Sequence, residues 1–354
     1  MIVPTQPGDG VVQPKYPASR FRTFLFWTVL GAVTVLAVGL SLLAWLITYY
    51  SHVATLHGDP TRPGFGTHAQ FAFDLSNSII DPREILPGGP PKDGIPALSA
   101  PKFCPADEAT FLDGDSRIIG VQFNGEARAY PLFILNYHEI VNDTVGNQPV
   151  AVTYCPLCDS AVVFDRRTPL GEPQFGVSGL LYSSNLLMYD RGGNPESLWS
   201  QMMAKGVSGP GAQQSLVALP VELTTWDSWR RRYPNTLVLT PNTGFDRPYQ
   251  HNPYAAYFAS DQLMFPVRKW DLRLPAKTPV LGVWTQETAR AYVPQKFAKN
   301  EQITDSLNGK KITIRQDDPS RTLRVVHADP GVFWMYCFWF AWSAFHPDTS
   351  IYGE

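Results

Sequence analysis

The sequence lacks the charge excess and the motifs that would assign it to the commonest functional classes. Its 29 Lys and Arg residues nearly balance 31 Asp and Glu residues, the net charge is −2, and no basic stripe or arm is present. Nucleic acid is therefore not an expected partner. The sequence also has no GxSxG or HExxH motif, and no P-loop or Rossmann glycine pattern in the right context. These common catalytic templates are thereby excluded.

Charged residues are absent from one long stretch near the N-terminus. Residues 23–50 form a run of 28 residues without a charged side chain. About 20 apolar residues of helix cross a bilayer core of about 30 Å, so this run predicts a transmembrane helix. Trp27 and Trp45 suit the two membrane interfaces. The run is too long for the apolar core of a cleaved signal peptide.

The flanking charges predict the orientation of this helix. Lys15, Arg20 and Arg22 precede the run, whereas only Arg62 lies in the first twenty residues after it. The positive-inside rule then places residues 1–22 in the cytoplasm as a tail, and the bulk in the periplasm or outside the cell. The chain is thus predicted to be a single-pass protein of the cytoplasmic membrane. Its cysteines would lie in an oxidising compartment.

The remainder is predicted to be a strand-rich α+β body. The 10 Trp, 15 Tyr and 20 Phe residues, with 32 Pro and 27 Gly, favour strands and loops over a helical bundle. We predict a Pro- and Gly-rich linker over residues 51–95, with the ordered body beginning near Ile95. A first β-rich module follows over residues 96–260 and a second over residues 261–354. Residues 224–234 predict a short capped helix, and the apolar run 331–345 predicts a buried strand or helix.

Two hairpins are predicted in the first module. The first folds at Asn124-Gly125, the favoured pair of a type I′ turn, between two alternating apolar runs. The second has the strand-like runs QPVAVTY and SAVVFD on either side of a Cys-Pro-Leu-Cys corner, whose thiols are Cys155 and Cys158. The question is what this cysteine pair does.

An internal repeat supplies a control for that corner. The stretch IIGVQFNGEARAYP at 118–131 matches VLGVWTQETARAYVP at 280–294, at an offset of 162 residues. At the same offset Cys155 falls on Asp317 and Cys158 on Ser320, while His138 falls on an asparagine. The second copy is therefore predicted to turn the same corner without thiols. The cysteines of the first copy are not needed for folding.

The residues around the pair leave three interpretations open. A thioredoxin-type CxxC begins a helix, but the alternating, β-branched run DSAVVFD follows Cys158. A strand–CPxC–strand corner is typical of metal-binding knuckles, although these usually have Gly where this chain has Asp159. A disulfide across so small a loop would stabilise little. A metal site, a redox-cycling dithiol and a static disulfide all remain possible.

A metal at the corner would need further ligands. His138 precedes the hairpin, and Met188 could add a thioether. Two thiolates, one imidazole and a weak thioether form a set that favours copper over zinc or iron. If the pair is redox-active instead, Cys155 and Cys158 are the catalytic residues, with Cys155 the nucleophile.

The acidic residues near the motif and the two remaining cysteines are not assigned a catalytic role. Glu139, Asp143 and Asp190 lie near the motif and are expected to be solvated charges of loops and strand ends. Cys337, in an aromatic run, is expected to be an inert buried thiol. Cys104 could be free or a partner of another thiol.

These residues resemble a known family. The stretch GEARAYPLFILNYHEIVNDTVGNQPVAVTYCPLCDSAVVFDRR, with FGVSGLLYSSNLLMYDR, SLWSQ and FWFAWSAFHPDT, is similar to the DUF3179 family of bacterial and archaeal proteins. The similarity extends over roughly residues 95–350, and the YCPLC block with the upstream HEIVND is its specific part. The family's usual Gly after the second cysteine is Asp159 here. The family has no settled activity, so the resemblance implies kinship rather than a particular chemistry.

Three functional hypotheses follow. The first is a membrane-anchored extracytoplasmic protein that holds copper through Cys155, Cys158 and His138, as an accessory or maturation factor of a membrane respiratory or oxidase complex. The second is a thiol–disulfide oxidoreductase. The third is a non-catalytic accessory subunit of a larger membrane complex. In each, residues 23–50 contact the lipid bilayer.

Overall fold

Short alternating runs separated by Gly, Asn, Asp and Pro turns form strands, and these strands build most of the fold. The computed structural model describes residue 27 and residues 29–45, 73–317 and 320–354. The strands are β1 (Ile85–Pro87), β2 (Leu98–Ser99), β3 (Phe103–Pro105), β4 (Arg117–Phe123), β5 (Glu126–Pro131), β6 (Ile140–Val145), β7 (Gln148–Cys155), β8 (Ser160–Asp165), β9 (Gln174–Tyr182), β10 (Asn185–Arg191), β11 (Leu198–Ser200), β12 (Lys205–Ser208), β13 (Ala218–Leu219), β14 (Glu222–Thr225), β15 (Leu237–Leu239), β16 (Pro279–Trp284), β17 (Ala289–Tyr292), β18 (Gln302–Leu307), β19 (Lys310–Asp317), β20 (Thr322–Ala328), β21 (Phe333–Phe338) and β22 (Ser350–Ile351).

Helices are few and short beyond residue 73. The α-helices there are Leu132–Leu135, Trp226–Arg232, Ala255–Phe258 and Trp339–Phe345, and the 3-10 helices are Pro82–Glu84, Gly209–Gly211 and Pro294–Lys296. The prediction of a strand-rich α+β fold is confirmed. The predicted helix within 224–234 is also confirmed, although the side chain of Thr225 makes no capping hydrogen bond.

The strands of the described residues form four sheets. The largest has the order β2-β6-β7-β8-β21-β16-β17-β22, with β13 also paired to β8. The others have the orders β14-β4-β5-β15-β3, β1-β9-β10-β11-β12 and β18-β19-β20. Both predicted modules contribute to this one sheet, with β2, β6, β7 and β8 of the first module followed by β21, β16, β17 and β22 of the second. The described residues from Phe73 onwards belong to one compact unit.

The N-terminal unit, Met1–Leu56, is described only at residues 27 and 29–45, which are helical. In the part of the chain that the structure describes, no helix is both long and apolar enough to cross a membrane. The rest of the predicted anchor at 23–50, and the predicted tail at 1–22, lie outside the described residues.

The body begins earlier than the predicted boundary at Ile95. Strand β1 pairs with β9, where Ile85 lies opposite Tyr182. Phe73 and Ile80 are buried in an apolar cluster with side chains of β9 and β10. Residues 73–95 therefore belong to the body, because their apolar side chains cover one of its sheets. Residues 51–72 of the predicted linker lie outside the described residues.

Both predicted hairpins are confirmed. In the first, Phe123 pairs with Glu126 across Asn124 and Gly125, whose φ angles of 49° and 84° are those of a type I′ turn. In the second, Val150–Cys155 of β7 pair with the whole of β8 on either side of the cysteine corner.

The two copies of the repeat also share an ion pair. Arg128 contacts Asp143 at 2.6 Å, and Tyr130 donates to the same carboxylate at 2.6 Å. In the second copy Arg290 contacts Asp305 at 2.6 Å, and the equivalent tyrosine donates to it at 2.7 Å. This recurrence explains the repeated Ala-Arg-Ala-Tyr sequence as scaffold.

A glycine–tryptophan contact recurs as well. Gly120 lies against the ring of Trp229, and Gly282 lies against the ring of Trp342, so closely that an added Cβ would be 2.4 and 2.2 Å from ring carbons. Each indole N–H donates to a threonine seven residues further on, at 3.0 and 2.8 Å. Trp342 belongs to the predicted apolar segment 331–345, which is confirmed as a buried strand, β21, followed by a helix.

Candidate functional site

The cysteine corner is a tight turn at the end of β7. Cys155 pairs with Ser160 across the ladder, and the N–H of Cys158 donates to the carbonyl of Cys155 at 3.2 Å. Asp159 has a φ of 46°, in the left-handed region that favours Gly but tolerates Asp. Its carboxylate accepts hydrogen bonds from Tyr154 and Arg117, both at 2.8 Å. Asp159 in place of Gly therefore keeps the conformation of the turn and adds a carboxylate fixed by two hydrogen bonds.

The second copy turns the same corner without thiols, as the repeat predicts. Asp317 pairs with Thr322 in the register that Cys155 and its partner have in the first copy. Arg321, the counterpart of Asp159, has a φ of 53°. Ser320 stands at the position of Cys158, and its hydroxyl donates to the Asp317 carbonyl at 2.9 Å.

Neither thiol of the corner forms a disulfide bond, and both are fully buried. Cys155 is 1% exposed and Cys158 is 0% exposed. The Sγ atom of Cys158 lies 3.3 Å from the carbonyl oxygen of Ser184. Ser184 lies in the turn between β9 and β10 with a φ of 63°. A turn of a neighbouring sheet thus closes over the sulfur atoms.

The surroundings shift the pKa values of the two thiols in opposite directions. Burial by itself would raise the pKa of Cys155. The Cys158 thiol and the backbone N–H groups of Leu186, Cys158 and Leu157 nevertheless donate to its sulfur, so its pKa lies below the ordinary value. Burial raises the pKa of Cys158 well above the ordinary value, and the hydrogen bond to Cys155 and the charge of its thiolate raise it further. Cys155 is therefore the more acidic thiol of the pair, and Cys158 is the less acidic one.

A buried polar network fixes the strands beneath the corner. The hydroxyl of Ser160 and the amide of Asn185 both donate to the side-chain oxygen of Gln201, at 2.6 and 2.8 Å. The Gln201 amide in turn donates to Thr153 at 2.9 Å. Because every member is satisfied, the network can hold β7, β8 and β10 in one geometry.

His138 is engaged away from the thiols. Its Nδ1 donates to the carbonyl of Pro96 at 2.7 Å, and its Nε2 accepts from the hydroxyl of Tyr249 at 2.6 Å. Burial lowers the pKa of His138 to about 4, so the ring is neutral. A metal held by His138 and the cysteine pair would require the ring to release Tyr249.

Met188 and Cys337 lie near the cysteine pair, whereas Cys104 does not. Met188 is fully buried on β10, in the apolar cluster that contains the cysteine pair. Cys337 belongs to the same cluster, and a charge on it would raise the pKa of Cys158. Cys104 pairs with Val238 in another sheet. Within residues 27–45 and 73–354, as far as they are described, no three His, Cys, Asp or Glu side chains are grouped to hold a metal ion.

A long segment covers the corner, and sequence reasoning did not identify it. This covering segment, residues 240–278, joins β15 to β16, and Ala255–Phe258 is its one α-helix. The hydroxyl of Tyr257 donates to the carbonyl of Leu157, inside the Cys-Pro-Leu-Cys turn, at 2.7 Å. The hydroxyl of Ser184 donates to the carbonyl of Phe265 at 2.6 Å. These contacts span about 80 to 100 residues of chain, and no local motif marks them.

The three acidic residues expected to be solvated are buried. Glu139, Asp143 and Asp190 are 6%, 9% and 5% exposed. Asp143 binds Arg128, and Asp190 accepts the N–H of Ser197 at 2.5 Å. Burial raises the pKa of Glu139 well above its ordinary value, and the nearby Cys155 raises it further. The expectation failed because the packing of neighbouring strands encloses these side chains, and Asp143 and Asp190 find partners there.

A cavity of about 380 Å³ lies beside the corner, within the size range of small-ligand sites. Its lining includes Asp159 and Cys337, and aromatic surface from Phe338. Arg117 and Lys277 also line it, so the cavity carries positive charge near the corner.

The comparisons with known proteins identify a family without an assigned activity. A family model described as "Protein of unknown function (DUF3179)" matches residues 92–330. This span contains the cysteine corner, and its counterpart in the second copy. No curated protein and no solved structure matches the chain.

Proposed function

The chain belongs to the DUF3179 family, whose function is unknown, and from that premise we propose that it is a thiol–disulfide oxidoreductase working through Cys155 and Cys158. The observation that carries this proposal is the unequal environment of the two sulfurs. Four donors lower the pKa of the Cys155 thiol, whereas the pKa of Cys158 is raised. A nucleophilic thiolate beside a protonated second thiol is the arrangement that thiol–disulfide exchange uses.

The exchange proceeds in two displacements. The thiolate of Cys155 attacks one sulfur of a substrate disulfide, forms a mixed disulfide and expels the first substrate thiolate. Cys158 then loses its proton, which the expelled thiolate takes up, and its sulfur attacks Cys155. The second substrate thiolate leaves, the substrate has gained two electrons, and Cys155 and Cys158 are joined as a disulfide. A dithiol reductant resets the pair by the reverse exchange.

Access to the buried pair requires movement of the covering segment. Tyr257 holds the turn through the carbonyl of Leu157, and Lys277 holds Tyr257 through the carbonyl of that residue, at 2.5 Å. A substrate that separates Tyr257 from the turn would expose the face of the corner on which this segment lies. The adjoining cavity is wide enough for a small disulfide but not for a folded domain. We therefore propose a low-molecular-weight disulfide, or an extended peptide disulfide, as the substrate class.

The proposed location follows from residues 23–50. We propose that this uncharged run anchors the chain in the cytoplasmic membrane with residues 1–22 in the cytoplasm. The body would then lie in an oxidising compartment, where a reduced pair needs a dedicated reductant. Proteolysis of sealed right-side-out vesicles tests the orientation, since only the body should be cleaved.

A second candidate function is storage or delivery of a soft metal, with copper favoured. The observation that supports it is the common apolar cluster of Cys155, Cys158 and Met188, a soft ligand set of two thiols and one thioether. The site would hold Cu(I) through the two cysteines, with the Met188 thioether as a weak third ligand. His138 would join only after losing its bond to Tyr249.

One experiment separates the two candidates. The full chain, purified in detergent, is equilibrated in dithiothreitol buffers of graded potential, and its free thiols are counted by maleimide mass shift. The oxidoreductase proposal requires one two-electron transition that Cys155→Ser and Cys158→Ser each abolish and that Cys104→Ser leaves unchanged. If the pair stays reduced at every potential and one copper ion per chain is lost in Cys155→Ser, the metal proposal replaces it.

A further inference from the structure

The cavity beside the cysteine corner is lined by both corners of the repeat. Asp159 of the first corner and Arg321 of the second contribute to its wall. Two paired strands, β16 and β21, form another part of the wall, where Pro279 lies opposite Phe338. The N–H of Phe338 donates to the carbonyl of Cys158 at 2.8 Å. The wall of the cavity is therefore bonded directly to the turn that holds the thiols.

The repeat pairs the charges of the first corner but not those of the second. The Arg117 guanidinium contacts the Asp159 carboxylate at 2.8 Å. At the offset of 162 residues these two positions become Pro279 and Arg321, and all four residues line the cavity. Arg321 therefore has a proline where Asp159 has an ionic partner. Arg321 is exposed, and its side chain makes no hydrogen bond or ion pair with any residue that the structure describes.

A second cation of the cavity, Lys277, is held in place by the covering segment. Its ammonium donates to the carbonyls of Tyr257 and Ser260, each at 2.5 Å, and lies 3.4 Å from the centre of the Tyr257 ring. An ammonium has three N–H donors, so one remains for a further acceptor. Lys277 thus lines the cavity and also fixes the helix Ala255–Phe258, which covers the cysteine turn.

The described lining of the cavity combines an excess of positive charge with an apolar surface. It contains one carboxylate and three cationic side chains, those of Arg117, Lys277 and Arg321. The rings of Phe258 and Phe338 line the same space, with their centroids 5.9 Å apart. A small anion with an apolar body is complementary to such a surface, because the charges attract the anion and the rings remove its carbon atoms from water.

We propose that this cavity selects the substrate of the Cys155–Cys158 pair by a carboxylate group, an inference that rests on the proposed thiol–disulfide exchange. The carboxylate binds the guanidinium of Arg321 and the remaining donor of Lys277. It takes no part in the bonds formed and broken, so the two displacements of the exchange are unchanged. The substrate class is thereby narrowed to small disulfides of carboxylic acids.

The test compares three disulfides of similar length on the reduced full chain in an uncharged detergent. The probes are 3,3′-dithiodipropionate, bis(2-hydroxyethyl) disulfide and cystamine, which near neutral pH carry two negative charges, no charge and two positive charges. Mass spectrometry of acid-quenched samples measures the rate at which the Cys155–Cys158 disulfide forms. Each variant's rate is divided by the wild-type rate with the same probe, so that the reactivity of the probe itself cancels.

Arg321→Gln should slow oxidation by 3,3′-dithiodipropionate about fivefold, as expected for loss of an exposed ion pair, and should leave the rate with the neutral probe unchanged. Arg321→Glu should slow the dianionic probe further and accelerate cystamine, and both effects should shrink at high salt. Arg315→Gln is the matched control, because Arg315 lies on β19 of the same hairpin but does not line the cavity. It should leave all three rates unchanged.

A second measurement separates failure of the cavity from failure of the exchange. The thioether 3,3′-thiodipropionate has the same charges as the dianionic probe but no disulfide, so it can bind without reacting. Titration calorimetry should show that it binds the wild-type chain and binds Arg321→Glu more weakly. If no probe oxidises the pair while the thioether binds, the exchange fails and the cavity is not a substrate site.

The opposite failure is equally visible. If the pair is oxidised but the Arg321 variants leave the relative rates of the three probes unchanged, selection by the carboxylate is overturned while the exchange stands. An Arg321 variant that had lost its fold would change the rate with the neutral probe as well, so loss of folding is not mistaken for loss of selectivity.

Discussion

Replacing His138 with asparagine, the residue that stands at position 300 of the second copy, should remove an acid-induced loss of stability. The ring of His138 is fully buried, and burial lowers its pKa to about 4, from an ordinary value of 6.5. Above pH 6.5 the ring is neutral in the folded and the unfolded chain. Between pH 6.5 and 4 only the unfolded chain takes up the proton, so the free energy of unfolding falls as the pH falls, and below pH 4 this fall stops.

The magnitude follows from the two pKa values. A difference of about 2.5 units at about 1.4 kcal/mol per unit predicts a loss of about 3 kcal/mol across this window. At pH 7 the variant should be less stable than the wild type by about 1–2 kcal/mol, because it loses the bonds to Pro96 and Tyr249. Towards pH 4 the gap should close and then reverse.

Urea unfolding of the full chain, followed by tryptophan fluorescence between pH 7 and pH 4.5, measures this gap. His251→Asn is the matched control, because His251 is exposed and its side chain makes no hydrogen bond among the described residues. His346, whose pKa burial also lowers to about 4, is present in every chain compared and cancels in the difference. A gap between His138→Asn and the wild type that stays constant with pH would refute the reasoning.

Three further outcomes are expected. Cys158→Ala should raise the pKa of Cys155, because it removes a thiol donor to the Cys155 sulfur. Iodoacetamide should then alkylate Cys155 about tenfold more slowly at pH 7, and an unchanged rate would contradict the assigned hydrogen bond. Tyr257→Phe removes the hydrogen bond from the covering segment to the carbonyl of Leu157. The cysteine pair of the reduced chain should then be alkylated up to about fivefold faster than in the wild type. Equal rates in the variant and the wild type would show that this contact does not limit access to the pair. Gly282→Ala should lower the free energy of unfolding by about 1–3 kcal/mol in urea titrations, since the new Cβ would meet the ring of Trp342 at 2.2 Å; a neutral effect would mean that the ring moves aside.

Much of the fold near the corner was predictable because its signals are local. Asn124-Gly125 specifies its turn through the φ angles that these residues tolerate. The alternation of apolar residues specifies β7 and β8 in the same way. The repeat offset also predicted that Asp317 and Ser320 stand at a corner without thiols.

The candidate site was predictable only in part. Cys155 and Cys158 were identified from their spacing, but the direction of each pKa depends on donors from β10 and from the turn itself. Glu139 was expected to be solvated, because a glutamate before a strand is usually exposed, as its counterpart Glu301 in the second copy is. The covering segment, which contributes Tyr257 and Lys277, left no local signal of where it would lie.

The sequence by itself determined the hairpins, the duplicated corner and the identity of the thiol pair, because turn chemistry and alternation act between near neighbours. The tertiary structure decided the chemistry of that pair. It buried Glu139, engaged His138 with Pro96 and Tyr249, and closed the corner with residues some 100 positions away. Burial and hydrogen bonding set a pKa through whatever atoms surround the group, and those atoms come from distant parts of the chain.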